Sequence, residues 1–313
     1  MTKSTTAIGV LFGAGAGALW GLVFLAPKLV SDFGPLYLTV GRYVGFGAIA
    51  AVMLTRRWHA VRRSFGRSDL ITVAKLSFVG NILYYVLLAS AVELAGIATT
   101  SLIIGFLPVA VTIIGSRERN AVPLKALRLS LGLCAAGAVF IGWQAIMLPG
   151  TGELTHRIAG FLCGLGALVS WTWFAVKNSR WLLSRPDVSV HDWNLLTGLA
   201  TGALSLFLVP VALLSDPHSH PVQDWTRLVA VSLGLAFFAS IVGNACWNKM
   251  SRLLPLTLIG QMILFETLFA LLYGLAWEQR LPHWSEAAAF FLVVCSVISC
   301  LAAHRTKTVR ADP

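Results

Sequence analysis

Glu266 is a carboxylate in the middle of a long apolar run, about eleven residues past Leu256. In apolar surroundings an ionised carboxylate is costly unless paired, and such residues are usually kept for a function. It could carry a proton, meet the amino group of a bound molecule, or neutralise a cation such as Arg42 or Lys249. A second polar pattern occurs twice. Ser77-Phe78-Val79-Gly80-Asn81-Ile82-Leu83-Tyr84 is echoed by Ser240-Ile241-Val242-Gly243-Asn244-Ala245-Cys246-Trp247, at a constant offset of 163. On a helix, residues spaced by three, four and seven share a face. Ser77, Asn81 and Tyr84 then form one stripe, and Ser240, Asn244, Trp247, Asn248 and Ser251 form another. Such stripes either line a wet cavity or tie helices together by hydrogen bonds. With Trp20 they make a candidate binding wall: aromatic rings for a planar or apolar group, amides for polar atoms, and Glu266 for a cation.

The elements that must position these residues are membrane spans. The chain has 313 residues, 57% hydrophobic and only 12% charged, with mean hydropathy +0.78. That composition defines a polytopic membrane protein with no segment polar enough to form a separate soluble domain. The net charge of +11 sits in short loops between apolar runs, which marks orientation in a membrane and excludes a nucleic-acid-binding face. The five cysteines lie inside apolar segments without metal-ligand spacing, so no metal or other cofactor is expected. The N-terminal apolar run outlasts a signal-peptide core and reads as a retained first span.

Charges and turn residues divide the chain into ten spans near 7–29, 36–54, 69–92, 96–115, 124–146, 158–182, 193–214, 227–250, 256–276 and 284–303. Breaks fall at Gly34-Pro35, Arg56-Arg57, Val122-Pro123, Pro149-Gly150, Arg185-Pro186, Pro217 and Pro282. With both termini cytoplasmic, nineteen of the 24 Lys and Arg residues face the cytoplasm and four face outward, as the positive-inside rule requires. Span 1 carries Gly9, Gly13, Gly17 and Gly21 on one face, a ladder for close helix packing that could also permit sliding. Pro108 in span 4 removes a backbone hydrogen bond and could expose a carbonyl to a cavity.

Two further echoes accompany the first. Phe12, Gly15, Gly17, Ala18, Leu19, Ala26 and Lys28 recur as Phe161, Gly164, Gly166, Ala167, Leu168, Ala175 and Lys177, and Glu118 before Pro123 recurs as Glu278 before Pro282. Residues 1–150 and 151–313 thus read as two five-helix repeats. Five is odd, so the second enters the membrane from the opposite side, an all-α fold of ten helices with a site near the midplane between the halves.

The stretch Ala18-Leu19-Trp20-Gly21 ending in Lys28, Arg42 early in span 2, Leu107-Pro108-Val109 in span 4 and Glu278 after span 9 resemble the EamA-type drug/metabolite transporters. Trp247-Asn248 in span 8 is similar to the YddG-like amino acid exporters of that superfamily. Span 9 differs from the family pattern, reading Phe265-Glu266-Thr267 where a Pro-containing segment is usual. The resemblance implies a basket of ten helices around a central cavity in a bacterial inner membrane, and export of aromatic or other amino acids and related metabolites. Its site residues would be Trp20, Ser77, Asn81, Tyr84, Asn244, Trp247, Asn248 and Glu266. Its partners would be that small-molecule substrate and the lipid bilayer, in a monomer or weak oligomer. Efflux of cationic or aromatic drugs is an alternative. An intramembrane enzyme would need a catalytic motif that is missing from the sequence, and a channel would need a ring of equivalent pore residues.

Overall fold

Glycine and proline set most helix boundaries in the computed structural model, which describes residues 3–118, 121–146, 154–216 and 220–311. All described elements are helical. They run in order α1 (Lys3–Leu29), α2 (Pro35–Ser64), α3 (Arg67–Ser77), a π turn (Phe78–Leu83), α4 (Tyr84–Ile104), α5 (Leu107–Gly115), α6 (Leu124–Ile146) and α7 (Leu154–Ser184). Then follow α8 (Val190–Ser205), a 3₁₀ turn (Leu206–Leu208), α9 (Val209–Ser215), α10 (Val222–Leu235), a second π turn (Ala236–Gly243) and α11 (Asn244–Leu253). The last are α12 (Leu256–Met262), α13 (Leu264–Glu278) and α14 (Trp284–Ala311). Among the described residues, eight continuous helical stretches are long and apolar enough to cross a membrane. The boundary expected at 150/151 and the breaks at Pro149-Gly150 and Pro217 lie outside the described residues.

Two expectations about single helices change. No break occurs at Arg56-Arg57: α2 runs on to Ser64, because arginine is a good helix former and no glycine or proline intervenes before Gly66. Pro108 is not a mid-helix kink either. The chain breaks just before it, at Gly105 and Phe106, so Pro108 sits in the first turn of α5, where its missing N–H costs little. Its carbonyl oxygen packs against Gly260 and is not open to a cavity.

The closest helix pairings are α1 with α13 and α11, α4 with α7, α2 with α8, α6 with α14, and α5 with α12. Glycines explain the first. A Cβ on Gly17 would lie 2.5 Å from Cβ of Phe265 and 2.7 Å from the Glu266 nitrogen; one on Gly21 would lie 3.0 Å from Phe269 and Ala270, one on Gly13 2.9 Å from Met250 and Met262, and one on Gly9 2.5 Å from Leu254. The ladder is therefore spent on close packing. In the α5–α12 crossing, Gly115 lies against the backbone of Leu256 and Thr257, and Gly260 against Thr112. Buried hydrogen bonds reinforce it: Gln261 Nε2 donates to Thr112 Oγ1, and Ser296 Oγ donates to Gln261 Oε1 at 2.9 Å and to the Ser130 carbonyl at 2.7 Å.

At one end of the bundle Arg57 forms a two-pronged pair with Asp192, at 2.7 and 2.9 Å. Nearby, Arg185 donates to Asp69, Asp187 and the Ser64 carbonyl, joining α2, α3 and the loop after α7. The Trp181 and Trp193 rings stack beside it, with centroids 3.5 Å apart. Hydrogen bonds from Arg185 hold the Asp187 carboxyl below its ordinary pKa. The resulting stability is present above the usual carboxylate range and is lost as pH falls through and below it. We predict that Arg185→Ala lowers the melting temperature clearly more than Arg180→Ala, whose side chain makes a single exposed pair with Glu118. Equal melting points for the two variants would show that this junction contributes nothing.

Candidate functional site

Three tryptophans from different helices meet inside the bundle. Trp20 of α1 lies 5.1 Å from Trp247 of α11 and 6.4 Å from Trp171 of α7, and Trp171 is 5.5 Å from Trp247, all between ring centroids. Edge and tilted arrangements of this kind favour aromatic pairs beyond simple burial. Trp20 Nε1 donates to the Ala239 carbonyl at 3.0 Å and to Asn244 Oδ1 at 3.2 Å. The Ala239 carbonyl belongs to the second π turn, where the ordinary i→i−4 ladder is interrupted. Trp247 is 2% exposed, yet its own Nε1 is buried with no hydrogen-bond partner among the described residues.

Charged and phenolic groups gather beside this cluster. Glu266 stands in the first turn of α13, where the helix dipole favours negative charge. Arg42 of α2 acts on it electrostatically, and Glu266 acts in turn on Tyr84 of α4. Tyr84 is also within reach of Tyr43 and Tyr85. Arg42 is steered by two contacts: its Nε donates to Ser240 Oγ at 2.9 Å, and its guanidinium lies 5.5 Å from the centre of the Tyr43 ring. Lys249, the other cation considered for Glu266, is exposed. The arrangement brings one carboxyl group, one guanidinium and several aromatic rings together inside the bundle.

The expected site residues do not all converge. Asn244 and Trp247 meet Trp20, and Tyr84 packs against the same apolar cluster. Ser77 and Asn81 instead bond to α8: Ser77 Oγ donates to the Thr197 carbonyl, and Asn81 Nδ2 donates to Thr201 Oγ1 at 2.9 Å. A physical reason is at hand. The π turn over Phe78–Leu83 shifts the i, i+4, i+7 register on which the Ser77–Asn81–Tyr84 stripe depends. Asn248 is likewise tied up, accepting from Asn178 Nδ2 at 2.9 Å, while Asn178 Oδ1 accepts from Trp193 Nε1. Gly9, Gly13, Gly17, Gly21 and Pro108 serve helix packing, as described above. Sequence reasoning missed Trp171 and Tyr43. Trp171 could have been found: it lies four residues beyond Ala167 and four before Ala175, both buried on one face of α7.

The eight apolar helical stretches define a multi-pass membrane protein, and comparison with known proteins narrows the class. The EamA-like transporter family matches residues 7–143. The chain is 32% identical to "Inner membrane protein YtfF" of Escherichia coli (strain K12), covering 96% of each chain. It is 26% identical to "Uncharacterized transporter YdeK" of Bacillus subtilis (strain 168), over 88% of this chain and 89% of that one. A solved crystal structure superposes with a TM-score of 0.73 at 21% identity, covering 95% of this chain and 98% of its own, a likeness of fold. The chain belongs to the EamA-like transporter family and is a membrane transporter.

Proposed function

We propose that this protein is a secondary transporter that exports amino acids or similar zwitterionic metabolites across a bacterial inner membrane by alternating access. The observation that carries the reading is that Arg42 and Glu266 lie within electrostatic reach of each other beside the tryptophan cluster. An amino acid presents a carboxylate to Arg42, an ammonium to Glu266 and a side chain to Trp20, Trp171 and Trp247. Its carboxylate is also an acceptor for the unpartnered Trp247 N–H. A cationic drug would use only Glu266 and leave the half-buried Arg42 without a charge partner on the substrate, which favours zwitterions over the drug-efflux alternative. The inner-membrane location rests on the similarity to YtfF.

The same proposal includes ten spans in two inverted five-helix repeats, with both termini cytoplasmic. Three observations support it. Both copies of the Ser-x-Val-Gly-Asn motif overlap a π turn. Three of the five pairs of segments expected to be equivalent pack against each other: α2 with α8, α6 with α14, and α5 with α12. Finally, Glu278 pairs with Lys28 of α1 while Glu118 pairs with Arg180 of α7, so the duplicated glutamate ties the end of its span to the first helix of a repeat in each case.

Counterflow into liposomes preloaded with single amino acids or cationic dyes tests the substrate class. Saturable exchange of amino acids supports the proposal, and exchange of dyes alone replaces it with drug efflux. Trp247→Phe keeps the ring but removes the N–H. We predict that it raises the transport KM about fivefold, the scale of one lost hydrogen bond, without lowering the melting temperature. An unchanged KM would remove Trp247 from substrate contact.

A further inference from the structure

A groove of about 410 Å³ opens on the outer face of the bundle between α5 and α7, apart from the tryptophan cluster. Its walls are Ala110, Ile114, Leu168, Val169 and Val176, with Trp173, Lys177 and Arg180 completing the lining towards one end. Along one stripe of α7 the order is Val169, Trp173, Lys177, at intervals of four residues. That sequence of apolar, interfacial aromatic and cationic groups follows the layers of a phospholipid from chain to headgroup. From Leu168 to Arg180 the helix rises ~18 Å at 1.5 Å per residue, long enough to lie along much of an acyl chain.

Two observations indicate a ligand there. Lys177 is exposed and has no ion pair or hydrogen bond among the described residues, while Arg180 shares its charge with Glu118 in a half-exposed pair. Thr172, another lining residue, is 5% exposed, and its hydroxyl is buried with no hydrogen-bond partner among the described residues. It lies five residues, or ~7.5 Å, deeper than Lys177. An acyl ester linked through glycerol to a phosphate fits that spacing, with its carbonyl accepting from Thr172 and its phosphate on Lys177. Basic pockets between membrane helices bind anionic headgroups by the same chemistry.

We propose that this groove is a binding site for an anionic phospholipid, with one acyl chain between α5 and α7 and the phosphate on Lys177 and Arg180. Because α5 lies before residue 150 and α7 after it, the lipid occupies a seam between the two halves of the sequence. Full-length protein in detergent, titrated with phosphatidylglycerol or phosphatidylcholine and observed by native mass spectrometry, tests the site. The expected result is a one-to-one phosphatidylglycerol adduct that survives where phosphatidylcholine is lost, weakened at least ~fivefold in Lys177→Gln and retained in Lys177→Arg. Ala110→Phe fills the groove without touching a charge and is expected to lose the adduct too, so the test stands if either variant fails to fold. Equal retention of the two lipids, or an adduct unaffected by both Lys177→Gln and Ala110→Phe, would overturn the proposal. Displacement of the lipid by inorganic phosphate alone at matching concentration would also overturn it, since the chain would then contribute nothing.

Discussion

Glu266→Gln is expected to reduce transport at least ~tenfold at pH values where the Glu266 carboxylate is ionised, while leaving the protein folded and inserted. The substitution keeps size and hydrogen-bonding capacity and removes only the charge. This hypothesis rests on the position of Glu266 beside Arg42, Tyr84 and the tryptophans. Liposome transport measured across a pH series is the readout; wild-type rates at all pH values would sink the functional role. A structural role predicts something else. If Glu266 only neutralises Arg42, its loss leaves a half-buried guanidinium without its counter-charge, seen as a fall in melting temperature. Arg42→Gln combined with Glu266→Gln would then recover most of that stability, whereas transport would stay lost if both charges hold substrate.

The largest loss of stability is expected from Gly17→Val. A Cβ at position 17 would lie 2.5–2.7 Å from Phe265 and from the backbone nitrogen of Glu266, and backbone atoms cannot swing aside as a flexible side chain can. Overpacking here is expected to cost ~3 kcal/mol or more and to push α13, with Glu266, away from α1. Gly274→Ala is the contrasting case. No atom lies within 4 Å of its added Cβ, so the gain in helix propensity, up to ~1 kcal/mol, should raise the melting temperature. A Gly17→Val protein melting like wild type would show that α1 and α13 are not held at this distance in the folded state.

Sequence reasoning reached the helices more readily than the site. Hydropathy located apolar helical stretches, because an apolar run of span length has no other stable form in a membrane. It did not fix their number or every boundary: eight described stretches are of span length, and α2 runs through Arg56-Arg57. The same approach failed where two or more helices decide the outcome. Ser77 and Asn81 read as cavity residues, yet Thr197 and Thr201 on α8 claim their hydrogen bonds, and partner identity is invisible in a single helix. The π turns have no mark in the sequence that spacing rules capture, and they set which residues share a face. Glu266 and Trp20 were legible because their chemistry is conspicuous in apolar runs. Trp171 was legible only as one more position on the face of α7 with Ala167 and Ala175; its place in the cluster comes from Trp20 and Trp247, which lie 151 and 76 residues away.

The contact between Gly17 and Phe265 also bears on how the protein is made. These residues are 248 positions apart, so the glycine face of the first helix inserts long before its partner exists. At synthesis rates of ~5–20 residues per second, that gap lasts about 12–50 seconds. Throughout this interval a surface shaped to accept another backbone closely faces lipid or any neighbouring helix with small residues. The nascent chain therefore carries an exposed, adhesive first span until its ninth predicted segment arrives, and the cell's insertion machinery must shield it for that time.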